Sequence, residues 1–289
     1  MQRFTARVDN TGSQRDGSSG DFQGKNAAVR HADTVTVLRG AQLHADATAS
    51  GDGGTVIVWS DSATRFGGHA SARRAGVGGN ASGNAGGNAN GKAGGNGGLV
   101  EVSAKGYLDY RGSADLRAAG GREGLLLLDP TNLTIQFSGP DIDGSGGGGD
   151  DLVTPTLAFA APGVNSIITA AAVVTQLASA NVTLQATNDI TLATGLSSAS
   201  ANALTLQAGN NINLNAAVTL GGALTLSAND PGGPASGIGR VTGSTGINIG
   251  AAALSITKNG GSGTHTLGDV IAAGNVAVVG NVQLIRPRS

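Results

Sequence analysis

A repeat with a fixed offset of 44 residues constrains this chain more than any other feature. Gly53-Gly-Thr-Val-Ile-Val-Trp-Ser60 returns as Gly97-Gly-Leu-Val-Glu-Val-Ser-Ala104, and the correspondence continues without a gap for about twenty positions. Val56 therefore corresponds to Val100. A constant offset over this length indicates one structural unit that is used twice, which is the signature of a repeat architecture.

The second half of the chain repeats with a shorter period. The triplets Val182-Thr-Leu184, Leu204-Thr-Leu206 and Leu224-Thr-Leu226 follow one another at nearly constant spacing. Each triplet alternates apolar and polar residues, which is the pattern of a half-buried strand. A coil of this size cannot bury its own apolar face, but stacked coils form a continuous core. The pattern predicts an all-β fold, a parallel β-helix solenoid with about 22 residues per coil.

Composition excludes several classes of protein. The net charge is −1, and there is no basic stripe of the kind that nucleic-acid binding requires. Cysteine is absent, which excludes disulfides, thiolate metal sites and a cysteine nucleophile. No apolar run reaches the roughly 18 residues of a transmembrane helix. The 50 glycines fit a solenoid whose tight corners need positive φ angles. We predict no cofactor.

The sequence divides into five segments. Residues 1–30 are polar and glycine-rich, and we expect them to be poorly ordered. We predict a first β-helix part at 31–137, a loop rich in Gly, Pro and Asp at 138–164, a short helix at 165–180 (its core near 166–178) and a second β-helix part at 181–289. Within the first β-helix part, Val35 and Val37 precede Val56 and Val58 by close to one period, which predicts a first complete coil in that register.

The helix prediction depends on composition and spacing. Three consecutive alanines favour a helix, and Val173, Val174 and Leu177 fall on one face at helical spacing. Ser166 or Thr169 would cap its N-terminus. We expect this helix to lie against an end or a lateral groove of the solenoid.

The Gly/Asn-rich segment 76–96 leaves two alternatives. As a loop between adjacent coils, it would place Arg65 on Asp109 and Asp61 on Lys105 at the strand spacing of about 4.8 Å. As a complete coil, it would hold the members of each pair about twice as far apart. Opposite charges in both pairs favour the loop.

Polar residues also recur in register in the second half. Stacked in cross-β order, they would form hydrogen-bonded ladders. The alternative is that they are turn residues tolerated at similar positions. The pairs are Gln185 with Gln207, Asn188 with Asn210, and Asp189 with Asn211.

One acidic segment has part of the chemistry of a calcium site. Asp141, Asp143, Asp150 and Asp151 offer oxygen ligands, and Gly144 allows a turn. The segment lacks the twelve-residue loop with its closing glutamate, so it is interpreted as an acidic surface loop and no metal site is assigned.

The four histidines show no metal-ligand spacing. The separation of His44 and His69 is close to one coil, so the two side chains would approach each other in a stack. We assign no function to this pair.

An enzyme is the competing class, because parallel β-helices also occur in polysaccharide lyases and hydrolases. Such enzymes need grouped carboxylates. Here Glu101, Asp109 and Asp115 lie on one unit, while most equivalent positions later in the chain are Ser or Thr. One Trp and two Tyr leave little surface for sugar stacking. We predict a non-catalytic protein without catalytic residues.

Several motifs together resemble filamentous haemagglutinin-type proteins, the large exported adhesins of bacterial two-partner secretion. The resemblance covers about Thr34–Ile135 and continues more loosely to Asn229. The motifs are Gly-Gly-Thr-Val-Ile-Val-Trp-Ser-Asp (53–61), Phe-Gly-Gly-His-Ala-Ser-Ala-Arg (66–73), Gly-Gly-Leu-Val-Glu-Val-Ser (97–103) and Leu-Leu-Leu-Leu-Asp-Pro-Thr-Asn-Leu-Thr-Ile (125–135).

This resemblance implies a right-handed parallel β-helix that is secreted and associated with the bacterial outer surface. It implies an outer-membrane β-barrel transporter as a partner, and adhesion to an unidentified glycan or protein receptor. The first ten residues lack the apolar region of a signal peptide, so an internal fragment or a truncated product is expected. A structural spacer within a fibre is the alternative function.

Overall fold

The computed structural model describes residues 27–47, 51–74, 95–137, 166–231 and 237–284. This part of the chain contains 24 strands and one helix. In chain order the elements are β1 (Ala27–Val37), β2 (Gln42–His44), β3 (Thr55–Phe66), β4 (His69–Ser71), β5 (Leu99–Ala104), β6 (Tyr107–Tyr110), β7 (Ser113–Asp115), β8 (Leu125–Asp129), β9 (Leu133–Gln136), β10 (Ser166–Thr169), α1 (Ala170–Leu177), β11 (Asn181–Ala186), β12 (Ile190–Leu192), β13 (Leu196–Ser198), β14 (Leu204–Ala208), β15 (Ile212–Leu214), β16 (Val218–Leu220), β17 (Leu224–Ala228), β18 (Val241–Gly243), β19 (Ile247–Gly250), β20 (Leu254–Lys258), β21 (Thr264–Leu267), β22 (Val270–Ala272), β23 (Val276–Val279) and β24 (Asn281–Leu284).

The described strands stack in parallel on three faces. The first face is β5-β8-β11-β14-β17-β20-β23, and the second is β6-β10-β9-β12-β15-β18-β21-β24. The third face consists of β2-β4-β7 and β13-β16-β19-β22. The long strands β1 and β3 turn the corner between the first two faces and join them into one sheet. The fold is a parallel β-helix, as the repeats predict.

The core is built from columns of inward side chains that repeat from coil to coil. One column on the first face has seven members, each at most 2% exposed, which are Val58, Val102, Leu128, Leu184, Leu206, Leu226 and Ile256. Alternation along each strand sends these residues inward and their neighbours outward. The columns confirm the repeat between residues 53–73 and 97–117, and Leu126 and Leu128 follow Val100 and Val102.

The register of the first coil differs from the prediction. Val35 lies opposite Thr64 and Val37 opposite Phe66. The expected match of these valines to Val56 and Val58 is wrong, because β1 has already turned the corner by this point. Residues 34–37 therefore lie on the second face. Residues 27–30, which the sequence places in the terminal segment, belong to β1.

The strands on either side of the Gly/Asn-rich segment pair directly. Thr55–Ser60 lies opposite Leu99–Ala104 without an intervening strand, and Arg65 lies opposite Asp109. Lys105 Nζ is 2.9 Å from Asp61 Oδ1. Both pairs expected for a loop between adjacent coils are confirmed. Residues 75–94 themselves lie outside the described residues, as do 1–26 and 138–165.

The Gly-Gly pair that precedes each of β3 and β5 is required by close approach of backbones. A Cβ atom on Gly98 would lie 1.9 Å from the carbonyl oxygen of Gly54, and one on Gly53 would lie 1.9 Å from that of Ala72. Neither glycine has a positive φ. The expectation that glycine supplies a positive φ angle at tight corners is therefore wrong for Gly53 and Gly98, although Gly40 does have a φ of 86°.

The helix is shorter than predicted. It spans Ala170–Leu177, while Ser166–Thr169 forms β10 between β6 and β9. The β-branched Ile167 and Ile168 favour a strand, and Ile168 enters the core at 1% exposure. Thr169 is the N-cap, and its hydroxyl accepts the Ala172 N–H at 3.1 Å.

The helix replaces strands on the third face, between β7 and β13. Its buried Val173 and Leu177 continue the core. Gln176 Oε1 accepts the N–H of Ala114 at 2.7 Å, and Ser179 Oγ donates to the Ala114 carbonyl at 3.0 Å. These side chains satisfy backbone groups that a neighbouring strand would otherwise bind, so the helix closes the edge of the sheet β2-β4-β7.

Candidate interaction surface

Outward positions in the second half carry uncharged polar side chains in rows. All members of these rows are partly or fully exposed. The rows are Thr183, Thr205, Thr225 and Ser255 on the first face, Thr191, Asn213, Thr242 and Thr266 on the second, and Ser197, Thr219 and Asn248 on the third. Because coils are about 4.8 Å apart, hydroxyl and amide groups recur at that interval along the rod.

Two of the expected polar ladders form. Gln185 Nε2 donates to Gln207 Oε1 at 2.7 Å. Asp189 Oδ1 accepts from Asn210 Nδ2 at 2.9 Å and from Asn211 Nδ2 at 3.2 Å. Asn188 behaves differently, because its backbone carbonyl accepts the Asn210 N–H at 2.9 Å. The ladder and turn alternatives are therefore both realised, at different positions.

A groove of about 690 Å³ lies along the second face where β18 and β21 run side by side. It is lined by Thr242, Thr264, Thr266 and Ser262, and Arg240 lines it as well. Arg240 is exposed, and no carboxylate of the described residues lies within ion-pair distance of it. Hydroxyl groups beside one guanidinium suit a hydroxyl-rich ligand that carries an anionic group.

The charges of the first half on the second face are buried. Arg65 and Asp109 take outward positions in β3 and β6, yet they are 2% and 0% exposed. Arg111 Nε donates to Asp109 Oδ1 at 2.9 Å. Burial raises the pKa of Asp109 despite the two arginines. Burial, together with the Asp109 charge, raises the pKa of Tyr107 to about 12. Arg65 and Asp109 therefore lie inside the fold and present no surface to a ligand.

A second charged network lies on the third face. Arg73 Nη2 is 2.7 Å from Asp46 Oδ2, and Arg117 Nη2 is 2.7 Å from Asp115 Oδ2. Burial alone would raise the pKa of Asp46, but hydrogen bonds from Arg73 hold that pKa below its usual value. The repeated arginines 73 and 117 thus each hold a carboxylate of their own face.

The structure places the three carboxylates that the sequence assigns to one unit on different faces of that unit. Glu101, Asp109 and Asp115 lie on the first, second and third faces of one coil. Sequence reasoning missed Asp129, which lies opposite Ser103 on the first face. Burial raises its pKa, and the nearby Glu101 adds to the rise. Leu128 takes the position of Val102 in the next coil, so the same offset applied to Ser103 would have placed Asp129 opposite Ser103 and close to Glu101.

Three histidines, His44, His69 and His265, have side-chain contacts within the fold. The rings of His44 and His69 have centroids 6.3 Å apart, and each Nδ1 lies within hydrogen-bonding distance of a serine, at Ser71 (2.7 Å) and Ser113 (2.8 Å). His265 is fully buried in the core. Among the described residues no three His, Cys, Asp or Glu side chains are placed to hold a metal ion. Asp141, Asp143, Asp150 and Asp151 lie outside the described residues.

The fold and its surface define a class of protein, the parallel β-helix repeat proteins with polar outer ladders. In the described part of the chain, no helix is both long and apolar enough to span a membrane. No protein-family model matches the chain, and a search of curated proteins finds no significant match.

Proposed function

We propose that this chain is a non-catalytic segment of a secreted, surface-associated adhesin of the filamentous haemagglutinin type, exported by two-partner secretion. The observation that carries this proposal is the stack of coils with uncharged polar rows on all three faces, in a chain whose motifs resemble that family. Repeated neutral donors and acceptors suit many weak contacts along an extended ligand.

Within this proposal the groove beside Arg240 is the contact for the receptor. Its threonine and serine hydroxyls would exchange hydrogen bonds with sugar hydroxyls, and the guanidinium would pair with a carboxylate of a glycan. The groove therefore offers a positive charge beside its hydroxyl groups, whereas the rows carry only uncharged polar side chains. The rows would then extend the rod and keep the groove away from the cell.

The alternative role, a spacer without a receptor contact, is favoured by the uniformity of the rows. None of their members is aromatic or charged, whereas strong binding sites depend on aromatic and arginine anchors. Under this alternative the groove would be an incidental consequence of the longer step between Leu224 and Leu254.

Export can be tested by comparing two strains of a Gram-negative host. The chain would be fused to a signal peptide and a two-partner secretion domain, and produced in a Gram-negative host with and without the β-barrel partner. We expect surface protein, detected by antibody on intact cells, only with the barrel. Retention in the periplasm in both strains would contradict the export proposal.

Binding is then measured on a glycan array with the purified chain. Arg240→Ala should abolish retention of carboxylated glycans, while Arg122→Ala, at an exposed arginine of the first half, should leave it unchanged. No retention of any glycan by the unmodified chain would favour the spacer role.

A further inference from the structure

A pocket of about 370 Å³ lies at the corner between the second and third faces in the first half of the chain. Three connections line it, one from each of three successive coils: residues 39–42 lead into β2, residues 67–69 into β4 and residues 111–113 into β7. Its volume falls within the range of about 300–1,000 Å³ that is typical of small-ligand pockets. The pocket shares no residue with the groove beside Arg240, which lies in the second half.

The lining side chains carry positive charge and no negative charge. Arg39 and Arg111 both line the pocket, and none of its lining residues is Asp or Glu. Arg111 Nε donates to Asp109 Oδ1, and Arg65 lies opposite Asp109 in register. One buried carboxylate therefore faces two guanidinium groups and compensates their charge only in part. The bond to Asp109 also holds the guanidinium of Arg111 in place before any ligand binds.

Two further lining side chains can donate hydrogen bonds. Gln42 Oε1 lies 2.9 Å from His44 Nε2, and within the described residues the amide nitrogen of Gln42 has no hydrogen-bond partner. His69 Nδ1 lies 2.8 Å from Ser113 Oγ, and Nε2 of the same ring has no partner in this part of the chain. When the Ser113 hydroxyl donates to Nδ1, the proton of the ring is on Nε2, which then acts as a donor. Gln42 and His69 lie side by side in one outward row.

The backbone around the pocket already has partners, so the side chains must supply the donors. The Gly67 N–H donates to the Val37 carbonyl at 2.7 Å, and the Gly112 N–H donates to the Phe66 carbonyl at 2.8 Å. A Cβ atom on Gly40 would meet no other atom within 4 Å. Glycine at this position therefore adds to the space that a ligand can occupy.

We propose that this pocket binds a tetrahedral oxyanion, which is a sulfate or a phosphate group. Arg39 precedes β2 and Arg111 precedes β7, two coils further along the rod, so their backbones lie at levels about 10 Å apart. Guanidinium groups form strong charge-assisted hydrogen bonds with such oxyanions. A tetrahedral anion presents oxygens in four directions and can accept from both arginines, Gln42 and His69. A carboxylate has two oxygens in one plane and would meet fewer of these donors.

Isothermal titration calorimetry at constant ionic strength tests the pocket. Inorganic sulfate and inorganic phosphate should each bind at one site per chain, and acetate should bind about tenfold more weakly or less. Constant ionic strength keeps the screening of charges equal in all titrations. No binding of sulfate and phosphate, or equal binding of all three anions, would overturn the proposal.

Variants of exposed side chains locate the site without disturbing the core. Arg39→Gln should weaken sulfate binding about tenfold or more, and Gln42→Glu, which places a carboxylate in the pocket, should abolish it. Both residues are exposed, so the circular dichroism should not change. Arg122→Gln, at an exposed arginine outside the pocket, and Arg240→Gln should both retain the affinity. Full affinity in Arg39→Gln, or an equal loss in Arg122→Gln, would contradict the assignment.

A monosaccharide with one sulfate ester distinguishes two sources of the anion. If the ester binds as well as inorganic sulfate and the unsulfated sugar does not bind, the pocket accepts a sulfate group of a larger molecule. If only the inorganic anions bind, the pocket holds a free ion. Either result supports the oxyanion site, provided that Arg39→Gln weakens the binding. Binding of the unsulfated sugar with the same affinity as the ester would contradict recognition of the anion.

Discussion

The four consecutive leucines of β8 allow the assignment of inside and outside to be tested within one strand. Leu128 is fully buried between Val102 and Leu184 in the adjacent coils. The neighbouring Leu127 has the same chemistry but points outward and is partly exposed. Comparing Leu128→Ala with Leu127→Ala therefore changes only the side of the sheet from which the atoms are removed.

The expected free-energy losses follow from burial. Leu→Ala in a core costs about 2–5 kcal/mol, and the cost is high where the site cannot collapse. Strand pairing holds the coils about 4.8 Å apart, so the cavity left by Leu128→Ala should persist, and we expect a loss of about 3–5 kcal/mol. Leu127→Ala removes only partly buried surface and should cost about 1 kcal/mol.

Urea unfolding followed by far-ultraviolet circular dichroism measures both losses. An unchanged slope with a lower midpoint would show that the native state has lost stability without a change in the surface exposed on unfolding. Equal losses for the two variants, or a larger loss for Leu127→Ala, would refute the assignment of the inward column.

Three further predictions concern buried polar groups. His265 is neutral in the core, because its Nδ1 accepts the Val241 N–H at 3.0 Å, and burial lowers its pKa. The stability that neutral His265 contributes is therefore present above the unfolded pKa of about 6.5 and is lost as the pH falls through the folded pKa. His265→Gln should flatten the fall of the melting temperature between pH 7.5 and pH 5. The absorbance of tyrosinate at about 295 nm should appear only near pH 12 for Tyr107; a normal transition near pH 10 would show that this ring is open to solvent. Gln176→Leu should cost about 1–3 kcal/mol in urea unfolding, because it leaves the Ala114 N–H without an acceptor, and no loss would mean that water replaces the amide.

The sequence predicts the stacking of coils because strand periodicity fixes register strongly. A slip of one residue would turn every inward side chain outward, so the Val-x-Val and Leu-x-Leu triplets exclude any alignment shifted by an odd number of residues. The same logic fails at Val35 and Val37. Two strands of similar pattern follow each other around a corner, and the sequence does not show that residues 34–37 already belong to the second face.

The candidate surface was less predictable for a different reason. Alternation places Arg65 and Asp109 outward, which correctly predicts their pairing but not their burial, since burial depends on what packs outside the sheet. The groove beside Arg240 lies next to a step, from Leu224 to Leu254, that is longer than the steps before it, and no periodic pattern specifies a groove there. Asp129 was predictable from register alone, once the step from Val102 to Leu128 was applied to Ser103.

The helix also changes the geometry of the rod, since the three faces do not rise equally around it. On the first face β8 alone lies between β5 and β11, whereas on the second face both β10 and β9 lie between β6 and β12. Two strand spacings amount to about 10 Å and three to about 14 Å. On the third face α1, with a diameter of about 10–12 Å including side chains, lies between β7 and β13. Within the described residues the second face therefore has one strand more than the first over this stretch, while the first face carries one strand per coil from β5 to β23.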